Sequence, residues 1–165
     1  MKKTKNKETQ KNINSSIKCE LEYKDMELSD LDYLIDMYIE SFNSEPWNDK
    51  WTKETAYKRL HAMINVEDFY GLCAYKDKEI CGMIIGCREQ YYDGIIFNLR
   101  EFCVKNSLRG YGIGQKIMNQ LEMRLKSQNV TEIVLYTTRN HMTEGFYKNC
   151  NFKTYDNMAV MGKKL

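Results

Sequence analysis

Hydrophobic positions recur along this chain with two periods, and where the period changes the elements change. Leu31, Leu34, Ile35, Tyr38, Ile39 and Phe42 fall on one stripe of a 3.6-residue repeat, predicting a helix entered from Ser29. Residues 43–51, with the single proline Pro46, end it, and Thr52 is placed to cap a second helix carrying Tyr57, Leu60, Met63 and Ile64. Residues 69–75 and 79–87 flank a short polar turn and read as a hairpin. Residues 94–104, rich in β-branched and aromatic side chains, read as a strand. Ile113, Ile117, Leu121 and Leu125 then repeat every four residues as a helix, followed by a strand over 132–138 and a helix over 141–149. Weak alternation at 19–23 suggests a first strand, and 153–155 with 158–161 a closing hairpin. The order is strand, two helices, three strands, helix, strand, helix, two strands.

Composition narrows this outline to one domain. At 165 residues, with 42% hydrophobic and 29% charged, the chain can bury one core without splitting, and residues 17–165 are expected to form it. Residues 1–16 carry Lys2, Lys3, Lys5, Lys7 and Lys11 among polar residues and are expected to be a disordered tail. The tail lacks arginine and aromatics, and the net charge is only +2, so a nucleic-acid partner is not expected. No apolar leader or membrane span follows it, which points to a cytoplasmic protein with no membrane partner. Six cysteines, Cys19, Cys73, Cys81, Cys87, Cys103 and Cys150, form no Cys-x-x-Cys pair and read as buried free thiols. With only His61 and His141 beside them, no metal site is expected.

The candidate chemistry centres on Arg109, Gly110, Tyr111, Gly112, Ile113 and Gly114, between the 94–104 strand and the following helix. Glycines at alternate positions remove side chains that would block an anion from converging N–H groups where a helix begins, and Arg109 adds a cation to the same mouth. A P-loop is excluded, since Gln115 stands where its second glycine belongs and no Lys-Ser or Lys-Thr pair follows. The dinucleotide fingerprint fails at the same position, and the next strand ends in Thr137, Thr138 and Arg139 without a carboxylate for a ribose. The pattern that fits is Arg-x-x-Gly-x-Gly, from Arg109, Gly112 and Gly114. Further on, Asn140, Thr143, Phe146, Tyr147, Asn151 and Phe152 stand on the spacing Asn-x-x-Ala-x-x-Phe-Tyr-x-x-x-Gly-Phe, with threonine for alanine and asparagine for glycine. Thr143 is small enough for a tight helix contact, and asparagine tolerates a left-handed turn at 151.

Together these two segments resemble the GNAT superfamily of N-acetyltransferases. The resemblance implies an α/β (α+β) fold with a mixed, mostly antiparallel sheet of six to seven strands, splayed between the fourth and fifth and flanked by about four helices. It implies acetyl-CoA as donor, with no metal, and an N-acetyltransferase that moves the acetyl group to a primary amine by direct attack in a ternary complex. A small primary amine is the favoured acceptor, with the acidic 45–49 loop inclining slightly toward a polycation; a protein N-terminus or lysine, and a non-catalytic CoA-binding module, are the alternatives. Homodimers are frequent in such enzymes.

By the same resemblance, residues 109–114 would hold the pyrophosphate, and Phe102, Cys103 and Val104 would pair by main chain with the pantetheine arm. Asn140 would bond the arm or cap its helix, and Tyr147 would be the general acid at the thioester sulfur. Glu101 is a candidate base that could equally be a paired strand carboxylate, with Glu45 or a water chain as alternatives. Glu45 and Trp47, with Asp49, would line an acidic, aromatic lip attractive to a cationic acceptor. Cys103 is disfavoured as a nucleophile, because only His141 lies in the motif region to activate it.

Overall fold

The structure, a computed structural model, describes residues 20–165; the lysine-rich tail and Cys19 lie outside the described residues. One sheet of five strands runs β1 (Glu22–Asp25), β2 (Phe69–Lys76), β3 (Glu79–Tyr91), β4 (Gly94–Val104) and β5 (Val130–Leu135), in that spatial order. The first four are antiparallel neighbours, and β5 lies parallel to β4. A parallel neighbour needs a crossover, supplied here by α3 (Ile113–Ser127). α1 (Leu31–Phe42) and α2 (Lys53–Ile64) pack on one face of the sheet around Leu34, Tyr38, Leu60, Met83 and Ile85. On the other face α3 buries Ile113, Ile117, Leu121 and Leu125 against Ile84, Phe97 and Leu99. Each such side chain contributes about 1.5–3 kcal/mol of transfer free energy. α4 (Glu144–Asn149) completes the domain.

Several local readings hold in detail. Thr52 caps α2, its hydroxyl accepting from the Thr55 amide while the Thr55 hydroxyl accepts from the Thr52 amide. Asn151 has φ 65°, the left-handed turn its position in the motif asks for. Others shift. The first strand lies at Glu22–Asp25 rather than 19–23, and Ser29 sits in a 3-10 turn (Leu28–Asp30) rather than capping α1. α4 starts at Glu144 instead of 141, because Asn140 turns residues 140–143 first.

The closing hairpin is not formed, so the described residues hold five strands rather than six to seven. Residues 153–165 are all exposed, and a period-2 pattern with no buried face to occupy does not define a strand. The segment faces the outer edge of β5 across an open cavity of about 960 Å³, and the Tyr155 hydroxyl reaches the Glu132 carboxylate there.

The feature that shapes the site is an extra residue in β4. Ile85 pairs with Glu101 but Gly86 pairs with Leu99, so Arg100 is bulged out of the ladder. Leu99 faces α3, whereas Glu101 and Cys103, which strict alternation would put on that same face, turn toward α1 and α2. The bulge also coincides with the end of pairing to β5, whose last partner is Leu99 opposite Leu135. Beyond it, residues 101–104 are paired on the β3 side only, and the sheet is splayed between its fourth and fifth strands.

Gly86 is required opposite this bulge. A Cβ there would stand 2.3 Å from the Asn98 carbonyl oxygen and 2.4 Å from the Phe97 ring. Gly86→Ala is expected to destabilise the fold by about 1–3 kcal/mol in denaturant unfolding; an unchanged midpoint would contradict this packing.

Candidate active site

The glycine segment leads from β4, through a 3-10 turn at Asn106–Leu108, into α3. Gly110 (φ 82°) and Gly112 (φ 75°) hold left-handed conformations, and a Cβ on either would meet no atom within 4 Å. Both therefore line open space in a backbone shape that side chains disfavour. Gly114 serves packing instead. Its Cβ position lies 3.1 Å from Phe146, so its lack of a side chain lets α3 approach that ring, while the 3.5 Å to Phe102 is ordinary contact. Ile113 is buried in the α3 core and offers only its main chain, while Tyr111 is exposed beside the turn. The first N–H groups of α3 have no intrahelical acceptor, and no acidic residue stands in its first turn. Residues 110–114 thus present converging donors and the positive end of a 15-residue helix to an open mouth that suits a pyrophosphate.

The Arg109 side chain is placed elsewhere than expected. Its guanidinium donates to the carbonyl oxygens of Glu45 (3.0 Å) and Ser41 (3.1 Å) and lies 5.6 Å from the centre of the Trp47 ring. In this arrangement it ties the glycine segment to the loop after α1, and the mouth is left to main-chain donors.

The free edge of β4 borders the cradle. Phe102 turns its ring toward α3 and α4, 5.4 Å from Phe146. Val104 lies on the same side, next to the Gly82 backbone that Ile117 approaches. Cys103 is buried on the opposite face, where burial pushes its thiol up to about 12 despite contact with Ser41. A thiol so held is protonated at neutral pH and is not a nucleophile.

Glu101 is 6% exposed, and the Arg59 side chain of α2 closes on it, Nε at 2.7 Å and Nη2 at 2.5 Å from one carboxylate oxygen. Burial raises its carboxyl above the usual 4.5, with Arg59 opposing the shift and the Tyr38 phenol bonding the same group. Burial also raises Tyr38, helped by the charge on Glu101. The Arg59 guanidinium packs over Trp51, 5.7 Å from its ring centre. Partial burial works against its charge, but Glu101 outweighs this and holds Arg59 more firmly protonated. Glu101 is therefore a paired carboxylate facing the α1–α2 side. Neither Arg59 nor Tyr38 belongs to either motif, and the one available signal is a lone arginine beside the buried Ala56 and Leu60 stripe.

Tyr147 sits half-buried on α4, its ring edge-on to Phe146 (5.2 Å) and Phe152 (5.5 Å). Burial, then the charges at Cys150 and Glu101, lift its phenol above the usual 10.0 and keep it protonated. Asn140 is spent locally: its Oδ1 accepts from the Met142 and Thr143 amides, both at 2.9 Å, and its Nδ2 donates to Thr138. On the opposite side of the opening, Glu45 is exposed and Trp47 packs 5.1 Å from Phe42. Asp49 accepts from the Trp51 indole at 2.9 Å.

Among the described residues no helix is long and apolar enough to cross a membrane, and no cluster of His, Cys, Asp and Glu is arranged to hold a metal ion. The sequence pattern of the Acetyltransferase (GNAT) family matches residues 31–152. Comparison with curated proteins gives no match. Among solved structures of similar fold, a ribosomal-protein-alanine N-acetyltransferase from Brucella melitensis biovar Abortus 2308 has a TM-score of 0.71 at 12% identity, covering 88% of this chain and 100% of its own. An aminoglycoside acetyltransferase from an uncultured soil metagenomic sample, in complex with sisomicin, has 0.68 at 15%, covering 88% and 96%. A predicted acetyltransferase with acetyl-CoA from Clostridium acetobutylicum has 0.66 at 15%, covering 87% and 96%.

The Cys103 environment yields a direct check. In the folded protein at pH 8 this thiol is expected to resist a disulfide-exchange reagent that labels it fully after denaturation, as a thiol raised to about 12 requires. Rapid native labelling of Cys103 would contradict its burial.

Proposed function

The chain belongs to the acetyltransferase (GNAT) family, and from that membership we propose that it is an acetyl-CoA-dependent N-acetyltransferase whose acceptor is a small primary amine. The observation that carries the reading is the joining of two openings at one strand end. β4 loses β5 at the Arg100 bulge, and a few residues later the chain forms the Gly110–Gly114 cradle at the start of α3. A long ligand with an anionic middle and an extended amide arm fits that sequence of main-chain donors. Acetyl-CoA supplies an acetyl group activated as a thioester.

The residues of this chain would divide the work as follows. The main chain of Gly110, Tyr111, Gly112, Ile113 and Gly114 holds the pyrophosphate, while the Arg109 amide, the first of the segment, is spent on the Asn106 carbonyl. The open edge takes the arm by the main-chain groups of Phe102 and Val104 and orients it, Cys103 between them turning its own toward Met83 of β3. Tyr147, kept protonated by burial, gives its proton to the departing sulfur. Asn140 shapes the turn that carries α4. Glu101, or a water held by it, accepts the proton the amine loses; a carboxyl raised above its usual 4.5 is a better base for this than an ordinary one. The exposed carboxylate of Glu45 forms the lip for a cationic acceptor, and Trp47, whose ring lies under the Arg109 guanidinium, forms its base. The small-amine acceptor is supported by this lip and by the aminoglycoside enzyme among the neighbours.

A hundredfold excess of acetyl-CoA over its dissociation constant is expected to stabilise the protein by about 2.7 kcal/mol, raising Tm by roughly 5–10 °C, whereas NAD leaves it unchanged. Thiol release over an amine panel then identifies the acceptor class. No shift with acetyl-CoA would overturn the reading. Tyr147→Phe is expected to lower kcat by about 10²–10⁴-fold with acetyl-CoA affinity nearly intact. Because the raised phenol stays protonated, wild-type kcat should show no loss attributable to Tyr147 up to pH 10.0. A basic limb below that value that vanishes in Tyr147→Phe would contradict this assignment.

A further inference from the structure

The end of α1 is held in an unusual way. Its last four carbonyls all find donors: Ile39 from the Asn43 amide, Glu40 from Ser44 Oγ and Asn106 Nδ2, Ser41 from Arg109 Nη2, and Phe42 from the Asp49 amide. Two of these donors, Asn106 and Arg109, belong to the segment joining β4 to the glycine cradle. α1 has no basic residue in its own last turn, so Arg109 is the cation that reaches its negative end. The same guanidinium holds the Glu45 carbonyl at 3.0 Å and covers Trp47, while Asn106 also donates to Ser44 Oγ at 2.9 Å. The ends of the 43–51 loop are joined by Asn43 and Trp51, and the residue immediately before Gly110 is the clasp on its Glu45–Trp47 tip.

We propose that Arg109 is a positioning residue that couples the two halves of the site: filling the glycine cradle on one side of it fixes the Glu45–Trp47 loop on the other. This rests on the reading of residues 109–114 as the CoA cradle. A ligand held by the main chain from Gly110 onward adjoins Arg109, whose own amide is tied to the Asn106 carbonyl, and through the two carbonyls and one ring that the Arg109 side chain holds it reaches the loop that faces the acceptor. By linkage the coupling acts in both directions, so an acceptor that holds the loop tightens the donor site.

Trp47 reports on the loop directly, since the chain has only two tryptophans, Trp47 and Trp51. In a Trp51→Phe background, with Trp47→Phe as the control, coenzyme A is titrated while its binding is followed by calorimetry and Trp47 exposure by acrylamide quenching. With Arg109 present, saturating coenzyme A is expected to reduce quenching of Trp47 several-fold. Arg109→Ala is expected to weaken coenzyme A by less than about tenfold and to abolish the Trp47 response. If the side chain were instead a direct pyrophosphate ligand, its loss would weaken binding by about 10- to 150-fold. Arg109→Gln, which keeps a donor of similar length and serves if the alanine variant folds poorly, is expected to retain a partial response. A full Trp47 response in Arg109→Ala, a binding loss in the 10- to 150-fold range, or no response in the parent would each overturn the coupling. Failure of the parent to bind coenzyme A at all would instead overturn the cradle assignment on which the coupling stands.

Discussion

Arg100 is one residue too many for its ladder, and most of what distinguishes this site follows from that. A bulge bends its strand and shifts the alternation beyond it by one position. Here the shift turns Glu101 and Cys103 away from α3 and toward α1 and α2. The bend ends the pairing with β5 at Leu99 and leaves the last stretch of β4 with an open edge. An open edge inside a domain is a demand for hydrogen-bond partners, and an extended ligand can meet it. Gly86 makes the arrangement possible, since no side chain fits between the two strands at that point.

The second constraint is the pairing of loops across the opening. The cradle and the acceptor lip come from distant parts of the chain, yet Asn106 and Arg109 bind them through the carbonyls at the end of α1. The buried Glu101 and Tyr38, with the exposed Arg59 side chain closing on the carboxylate from outside, lie on the α1–α2 side. These charges are matched within the protein, so the site keeps a carboxylate at low exposure without leaving it unpaired. The same chain therefore builds a wall around a gap whose donor side offers main-chain groups at the end of β4 and the start of α3.

Much of this is legible in the sequence because the local signals are strong. The stripe from Leu31 to Phe42, the Thr52 cap and the two motifs carry their own geometry, and the structure places each of them in the expected element. The bulge is not legible. Phe97, Leu99, Glu101 and Cys103 read as one alternating face, and only the register with β3 reveals the residue that divides them. The partners of Arg109 and of Glu101 lie 64 and 42 residues away, a separation no local pattern encodes. The closing hairpin fails for a different reason, because alternation over three or four residues has no meaning without a buried face to receive it.

Backbone amide exchange along β4, with and without acetyl-CoA, reads the open edge itself. Acetyl-CoA is expected to slow exchange at Phe102 and Val104, whose amides face the open edge, and in the 110–114 cradle, while leaving 95–99, already paired with β5, unchanged. Uniform slowing across β4, or none beyond Leu99, would contradict the claim that the bulge opens this edge for the donor.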